Sequence, residues 1–136
     1  AKSNEWVTAV APGVIARTGE GVVILDLDGD GDEQTGWNIL YLHIETRDKV
    51  ATGTVVAAGD KIGHPSCEGG VSTGTHVHIA RKFNGEWILA DGPLSFTMSG
   101  YVAKNGDAPY QGKLVNGDHK VIADPLSSNK SNIQIP

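Results

Sequence analysis

Apolar residues along this chain recur mostly in short runs with a period near two, and rarely with the three-to-four spacing of a helix. Trp6–Val10 and Val14–Arg17 are β-rich runs separated by the turn signal Ala11-Pro12-Gly13. Val22-Val23-Ile24-Leu25 is a continuous apolar run bounded by Gly21 and an acidic cluster, as in a buried strand. Asn38–Ile44 predicts a longer strand. Strict alternation puts Ile39, Tyr41 and His43 on one face and Leu40, Leu42 and Ile44 on the other. The aliphatic face is expected in a core, and the face with the phenol and imidazole is expected to line a cleft. Short strands follow at Val55-Val56 and Lys61-Ile62, joined by a hairpin-like turn at Ala58-Gly59-Asp60. Asn84-Gly85 predicts a hairpin into Trp87-Ile88-Leu89. Asn105-Gly106-Asp107 and Asn116-Gly117-Asp118 mark later turns, the second between Gly112–Val115 and Lys120–Ala123. No stretch reads as an amphipathic helix of ordinary length. The expected class is all-β and antiparallel, with a core domain over residues 1–90 and a C-terminal β-hairpin extension and polar tail over 91–136.

The stretch with the densest chemistry is Ser72-Thr73-Gly74-Thr75-His76-Val77-His78-Ile79-Ala80. In a strand, His76 and His78 share a face about 6–7 Å apart, and Val77 and Ile79 turn into the core. One imidazole at that spacing can hold a metal while the other moves a proton. His43 is the third member of a candidate trio. The alternative for it is a half-buried strand histidine bonded to a backbone carbonyl.

A second stretch, Asp26-Leu27-Asp28-Gly29-Asp30-Gly31-Asp32-Glu33, alternates carboxylates with Gly31 at the sixth place, like the first half of a calcium-binding EF-hand loop. Trp37 stands where the bidentate glutamate belongs. Asp26, Asp28, Asp30, Asp32 and Glu33 are therefore candidate calcium ligands in a shortened loop, with a solvated acidic turn as the other reading. Cys67 is expected to be a small packing residue and not a nucleophile. His64 and His119 are expected on exposed loops, and Trp37 and Trp87 in core or edge packing.

With 136 residues, one modest core is possible, and only 6% aromatic content makes that core aliphatic. Eighteen glycines fit many tight turns. A net charge of −5 argues against an electrostatic nucleic-acid binder. No apolar run has the length of a membrane span. A single cysteine leaves the redox compartment open.

Leu40-Tyr41-Leu42-His43, then Gly59-Asp60-Lys61-Ile62-Gly63, then Ser72-Thr73-Gly74-Thr75-His76-Val77-His78, resemble in order and spacing the lysostaphin/LytM-type zinc metalloendopeptidases. Cys67-Glu68-Gly69-Gly70 and Phe83-Asn84-Gly85 are most similar to the staphylolysin branch. The resemblance covers residues 6–90. It implies an antiparallel β fold and secretion or a cell-envelope location. It also implies hydrolysis of peptide bonds in peptidoglycan cross-bridges or other glycine-rich peptides. By the same resemblance His78 is a zinc ligand, and His43 and His76 flank the metal, orienting water and stabilising the oxyanion. Tyr41, Gly69, Gly70 and Gly74 are expected along the substrate groove.

The family's other two zinc ligands, a His and an Asp, come from a segment upstream of the strand matching Trp6–Val10. This sequence has no histidine before His43, so those ligands are expected from a segment preceding Ala1. The alternative is a catalytically inactive LytM-like module that binds cell wall or activates a partner hydrolase. A biotinyl-type carrier, suggested by the cadence of Val50–Gly63, lacks a modifiable lysine at a hairpin tip.

Overall fold

The computed structural model describes residues 3–70, 76–98, 100–107 and 112–122. Among them no helix occurs, and every strand pairing is antiparallel, so the all-β expectation holds. The chain divides into two compact units, Ala1–Ile88 and Leu89–Pro136.

The first unit is built on a six-stranded sheet. Its strands are β2 (Gly13–Gly19), β3 (Gly21–Asp26), β4 (Trp37–Ile44), β5 (Val55–Val56), β7 (His78–Phe83) and β8 (Glu86–Ile88), in the spatial order β5-β2-β3-β4-β7-β8. A two-stranded sheet pairs β1 (Val7–Thr8) with β6 (Lys61–Gly63). The second unit holds a four-stranded sheet of β9 (Thr97–Met98), β10 (Tyr101–Lys104), β11 (Lys113–Asn116) and β12 (His119–Ile122). The Asn116-Gly117-Asp118 turn joins β11 to β12 as the sequence predicts, and His119 is exposed at the start of β12. The polar tail beyond Ile122 lies outside the described residues.

Period-two alternation sets the faces of the large sheet, but in the opposite sense to the sequence expectation. Val23 and Leu25 on β3 and Ile39 and Tyr41 on β4 are paired across the strands and buried together with Ile15. Leu40 and Leu42 on the other face are only half-buried, whereas Ile44, beyond the irregularity at His43, lies in the core as expected. Tyr41 is therefore a core residue, 1% exposed, and not a groove residue. Its hydroxyl accepts a hydrogen bond from Val10 N at 2.9 Å, and burial pushes its pKa up to about 12. The reason is geometric. A tyrosine whose hydroxyl finds a backbone donor buries its ring without leaving a polar atom unsatisfied.

Two further expectations fail. Val55-Val56 and Lys61-Ile62 do not form a hairpin, because β5 joins β2 and β6 joins β1. Residues 57–60 do form a tight turn, closed by Asp60 N to Ala57 O and by Ala57 N to the Asp60 carboxylate. His64 is not an exposed loop residue either; it is 3% exposed. Its Nδ1 lies 2.7 Å from Glu5 O, its Nε2 lies 3.0 Å from Asp48 Oδ2, and Trp6 packs on its ring at 4.0 Å. That buried tie holds the start of the chain to the β4–β5 connection.

Candidate active site

β4 ends in an irregularity that decides where His43 goes. In the β3–β4 register, Val22 faces Leu42 and Gly21 faces Ile44, leaving His43 as the extra residue of a bulge. Its φ is +69°, a left-handed conformation uncommon for a non-glycine residue. Bulges re-aim side chains, and strain of this kind gathers at functional sites. The ring consequently leaves the face it would share with Ile39 and Tyr41, and its centroid lies 4.5 Å from that of His76.

The bulge is held from the loop at Pro65–Gly70. Ser66 donates twice to the His43 carbonyl, from its backbone N at 2.7 Å and from Oγ at 2.9 Å. Ser66 Oγ in turn accepts from Glu68 N at 3.0 Å. The Glu68 carbonyl lies 2.8 Å from His43 Nδ1. A carbonyl only accepts, so Nδ1 carries the proton and Nε2 of the neutral ring is left as an acceptor. The carboxylate of Glu68 accepts from Thr46 N at 3.0 Å and from Thr46 Oγ1 at 2.7 Å; those bonds hold its pKa below the usual range. The backbone-carbonyl bond of His43 is thus the one weighed from the sequence as an alternative to function, yet the ring also meets His76. The supporting roles of Ser66, Glu68 and Thr46 were not legible in the sequence, because they rest on contacts between segments about 20 residues apart.

His76 forms an isolated bridge with Ser66, and β7 begins at His78, opposite Leu42. Partial burial, then the neighbouring His43 and His76, push the pKa of His78 below its ordinary value. The three imidazoles are therefore electrostatic neighbours, and His78 is biased toward the neutral form that binds metals. Val77, expected in the core, is 39% exposed. Gly69 and Gly70 flank the site: a Cβ on Gly70 would lie 4.0 Å from His43 Cε1, and Gly69 approaches Gly21 and Leu42. Gly74 lies outside the described residues. Cys67 is a half-buried free thiol.

Among the described residues, His43, His76 and His78 do not bring three donor atoms within 4.8 Å of one another. They do not form a complete three-histidine cage. The acidic turn does gather such a group, limited to Asp26, Asp28 and Asp30. Asp32 and Glu33 are not in the cluster; Asp32 Oδ1 accepts from Gln34 N, and Glu33 is held by Arg17 through contacts of 2.8 and 3.1 Å. Trp37 packs on Phe83 at 4.9 Å under the Arg81 guanidinium. Trp87 is exposed, with the Lys82 ammonium 4.5 Å above its ring.

Residues 1–89 match the sequence model of peptidase family M23. The chain belongs to that family. Protease LasA, from two strains of Pseudomonas aeruginosa, is 30% identical over 94 residues, which cover 64% of this chain and 22% of LasA. The chain thus spans under a quarter of that relative, and the match accords with the staphylolysin branch expected from the Cys67–Gly70 loop. Among solved structures, the M23 metalloprotease pseudoalterin, described as coming from the deep sea, shares the fold at a TM-score of 0.69. The identity is 22%, and the likeness covers 89% of this chain and 71% of that one. An M23 chain built on this sheet carries its histidines where β4 bulges and β7 begins.

The acidic turn of this M23 chain makes a pH prediction. Burial first, and then Asp28 beside it, push Asp26 up to about 6. The folded state therefore holds that proton more tightly than the unfolded chain. The resulting stability is fully present below about pH 4 and is lost as pH rises through about 6. His78, pushed down, acts with the opposite sign below its ordinary 6.5. The difference between wild type and Asp26→Asn isolates the carboxylate. In metal-free buffer the wild-type melting temperature, measured relative to Asp26→Asn, should fall between pH 4 and pH 7. A constant difference would show that Asp26 titrates normally.

Proposed function

We propose that this chain carries the general acid–base half of a zinc endopeptidase site that cleaves peptidoglycan cross-bridges or other glycine-rich peptides outside the cell. The observation that carries the reading is the meeting of His43 and His76, 4.5 Å between ring centroids, with His78 an electrostatic neighbour of both. His78 is assigned as one zinc donor, and the shell would be completed by the histidine and the aspartate that the family resemblance implies. Zinc bound there supplies a Lewis acid and lowers the pKa of a bound water toward about 7.

The chain's own residues supply the proton chemistry. His43, its Nδ1–H fixed on Glu68, presents Nε2 to take a proton from an attacking water. His76, exposed at the mouth of the site, can as imidazolium stabilise the oxyanion or protonate the leaving amine. Gly70, where an added Cβ would meet only His43 Cε1 at 4.0 Å, leaves room for a substrate backbone without side-chain bulk, which suits glycine-rich peptides; Gly69 is instead packed against Glu20, Gly21 and Leu42.

The complete protein, with the upstream segment present, is expected to contain about one zinc per chain by elemental analysis and to cleave pentaglycine. A protein with no zinc and no cleavage that still sediments with cell walls would replace this reading with a binding module.

A further inference from the structure

One buried oxygen in the six-stranded sheet has no donor among the described residues: Asn38 Oδ1. Asn38 is 2% exposed, and its Nδ2 donates to Thr35 O at 3.1 Å. A buried acceptor left in this way calls for a partner other than the described residues. Asn38 stands directly opposite Asp26 in the β3–β4 register, so the two side chains share one face. Asp26 is itself fully buried. One oxygen from each of Asp26, Asp28 and Asp30 lies within 4.8 Å of the other two, about the span between ligands on opposite sides of a calcium ion. Thr35, which accepts from Asn38, contacts the Asp28 and Asp30 carboxylates through Oγ1.

No lysine or arginine pairs with these three carboxylates among the described residues. Arg17 is committed to Glu33, and Lys82, opposite Asn38 on β7, lies over Trp87. The six carboxylate oxygens accept from backbone N–H groups and from Thr35 Oγ1 within the turn, but those donors carry no net charge. A cation would offset the charge of three clustered carboxylates and give Asn38 Oδ1, across the strand pair from Asp26, its partner.

We infer that Asp26, Asp28, Asp30 and Asn38 Oδ1 bind a calcium ion that pins the β3–β4 turn. All four donors are hard oxygens, which excludes zinc as the preferred ion. The turn bends at Gly29 and Gly31, with φ of +80° and +75° and open space around both; this suits the large, irregular shell of calcium over the tight octahedron of magnesium. Asn38 shares its face with Leu42 and His78, so the ion stiffens the far end of the surface that carries the histidines. The site stands independently of the peptidase reading.

The test is a terbium titration of the metal-free full chain, with luminescence sensitised by Trp37, followed by calcium and magnesium competition. Calcium is expected to displace terbium with half-effect between about 10⁻⁵ and 10⁻³ M, and magnesium only at higher concentration. Asp30→Asn, at an exposed position that leaves the core intact, should weaken binding at least about tenfold. Asn38→Asp, which adds charge at the orphan oxygen, should tighten calcium binding and lower the melting temperature without calcium. Binding unchanged by Asp30→Asn and Asn38→Asp, or no sensitised luminescence, would overturn the assignment and leave Asn38 bonded to water.

Discussion

His76→Ala in the complete, zinc-loaded protein is expected to lower kcat about 10²–10⁴-fold while KM for a pentaglycine substrate changes little. The expectation follows from placement. His76 is exposed at the mouth of the site, its ring beside the His43 ring, and the buried core does not depend on it. A stability loss therefore cannot account for the effect, and a thermal melt of the variant should overlay that of the wild type. His43→Asn is the companion experiment. Asparagine tolerates the left-handed backbone that His43 adopts, so the bulge survives while the imidazole is removed. Loss of turnover in both variants, with zinc content retained, assigns the proton work to the pair. Turnover within a few-fold of wild type for His76→Ala would remove that residue from the reaction.

Gly21→Ala should be strongly destabilising in the first unit. A Cβ at position 21 would stand 2.5 Å from Gly69 Cα and 2.6 Å from Glu68 O, both backbone atoms. Its φ of +71° adds conformational strain. Strain of about 1–3 kcal/mol and overpacking of about 1–3 kcal/mol together predict a loss of about 2–6 kcal/mol. For a unit of this size, that is a fall in melting temperature of at least about 8 °C. Gly31→Ala is the control. Its φ is +75°, but nothing lies within 4 Å of the added methyl, so only the strain remains. A melting temperature for Gly21→Ala no lower than that of Gly31→Ala would show that the two loops are not in tight contact. The same close approach sets the position of the Glu68 carbonyl, so Gly21→Ala should also impair His43 in the complete enzyme.

Local chemistry decided much of this protein. Turn residues such as Asn84-Gly85 and Asn116-Gly117, with period-two apolar runs between them, were enough for an antiparallel all-β chain, because both signals act over a few residues. The histidine motif and its spacing pointed to a family that the match over residues 1–89 bears out. Tertiary structure decided which face of β4 is the core. Leu40, Leu42 and Ile44 looked the greasier set, and of these only Ile44 is buried; the Tyr41 hydroxyl found Val10 N, and that bond let the aromatic face go inside. Alternation also failed at His43, where one extra residue in the β3–β4 register swung the ring toward His76. The buried His64 tie, the Ser66 and Glu68 supports, and the narrowing of the acidic turn to Asp26, Asp28 and Asp30 were likewise illegible. Each depends on partners tens of residues away or on Arg17 drawing Glu33 aside, and a period read along one strand carries no information about what another strand brings to meet it.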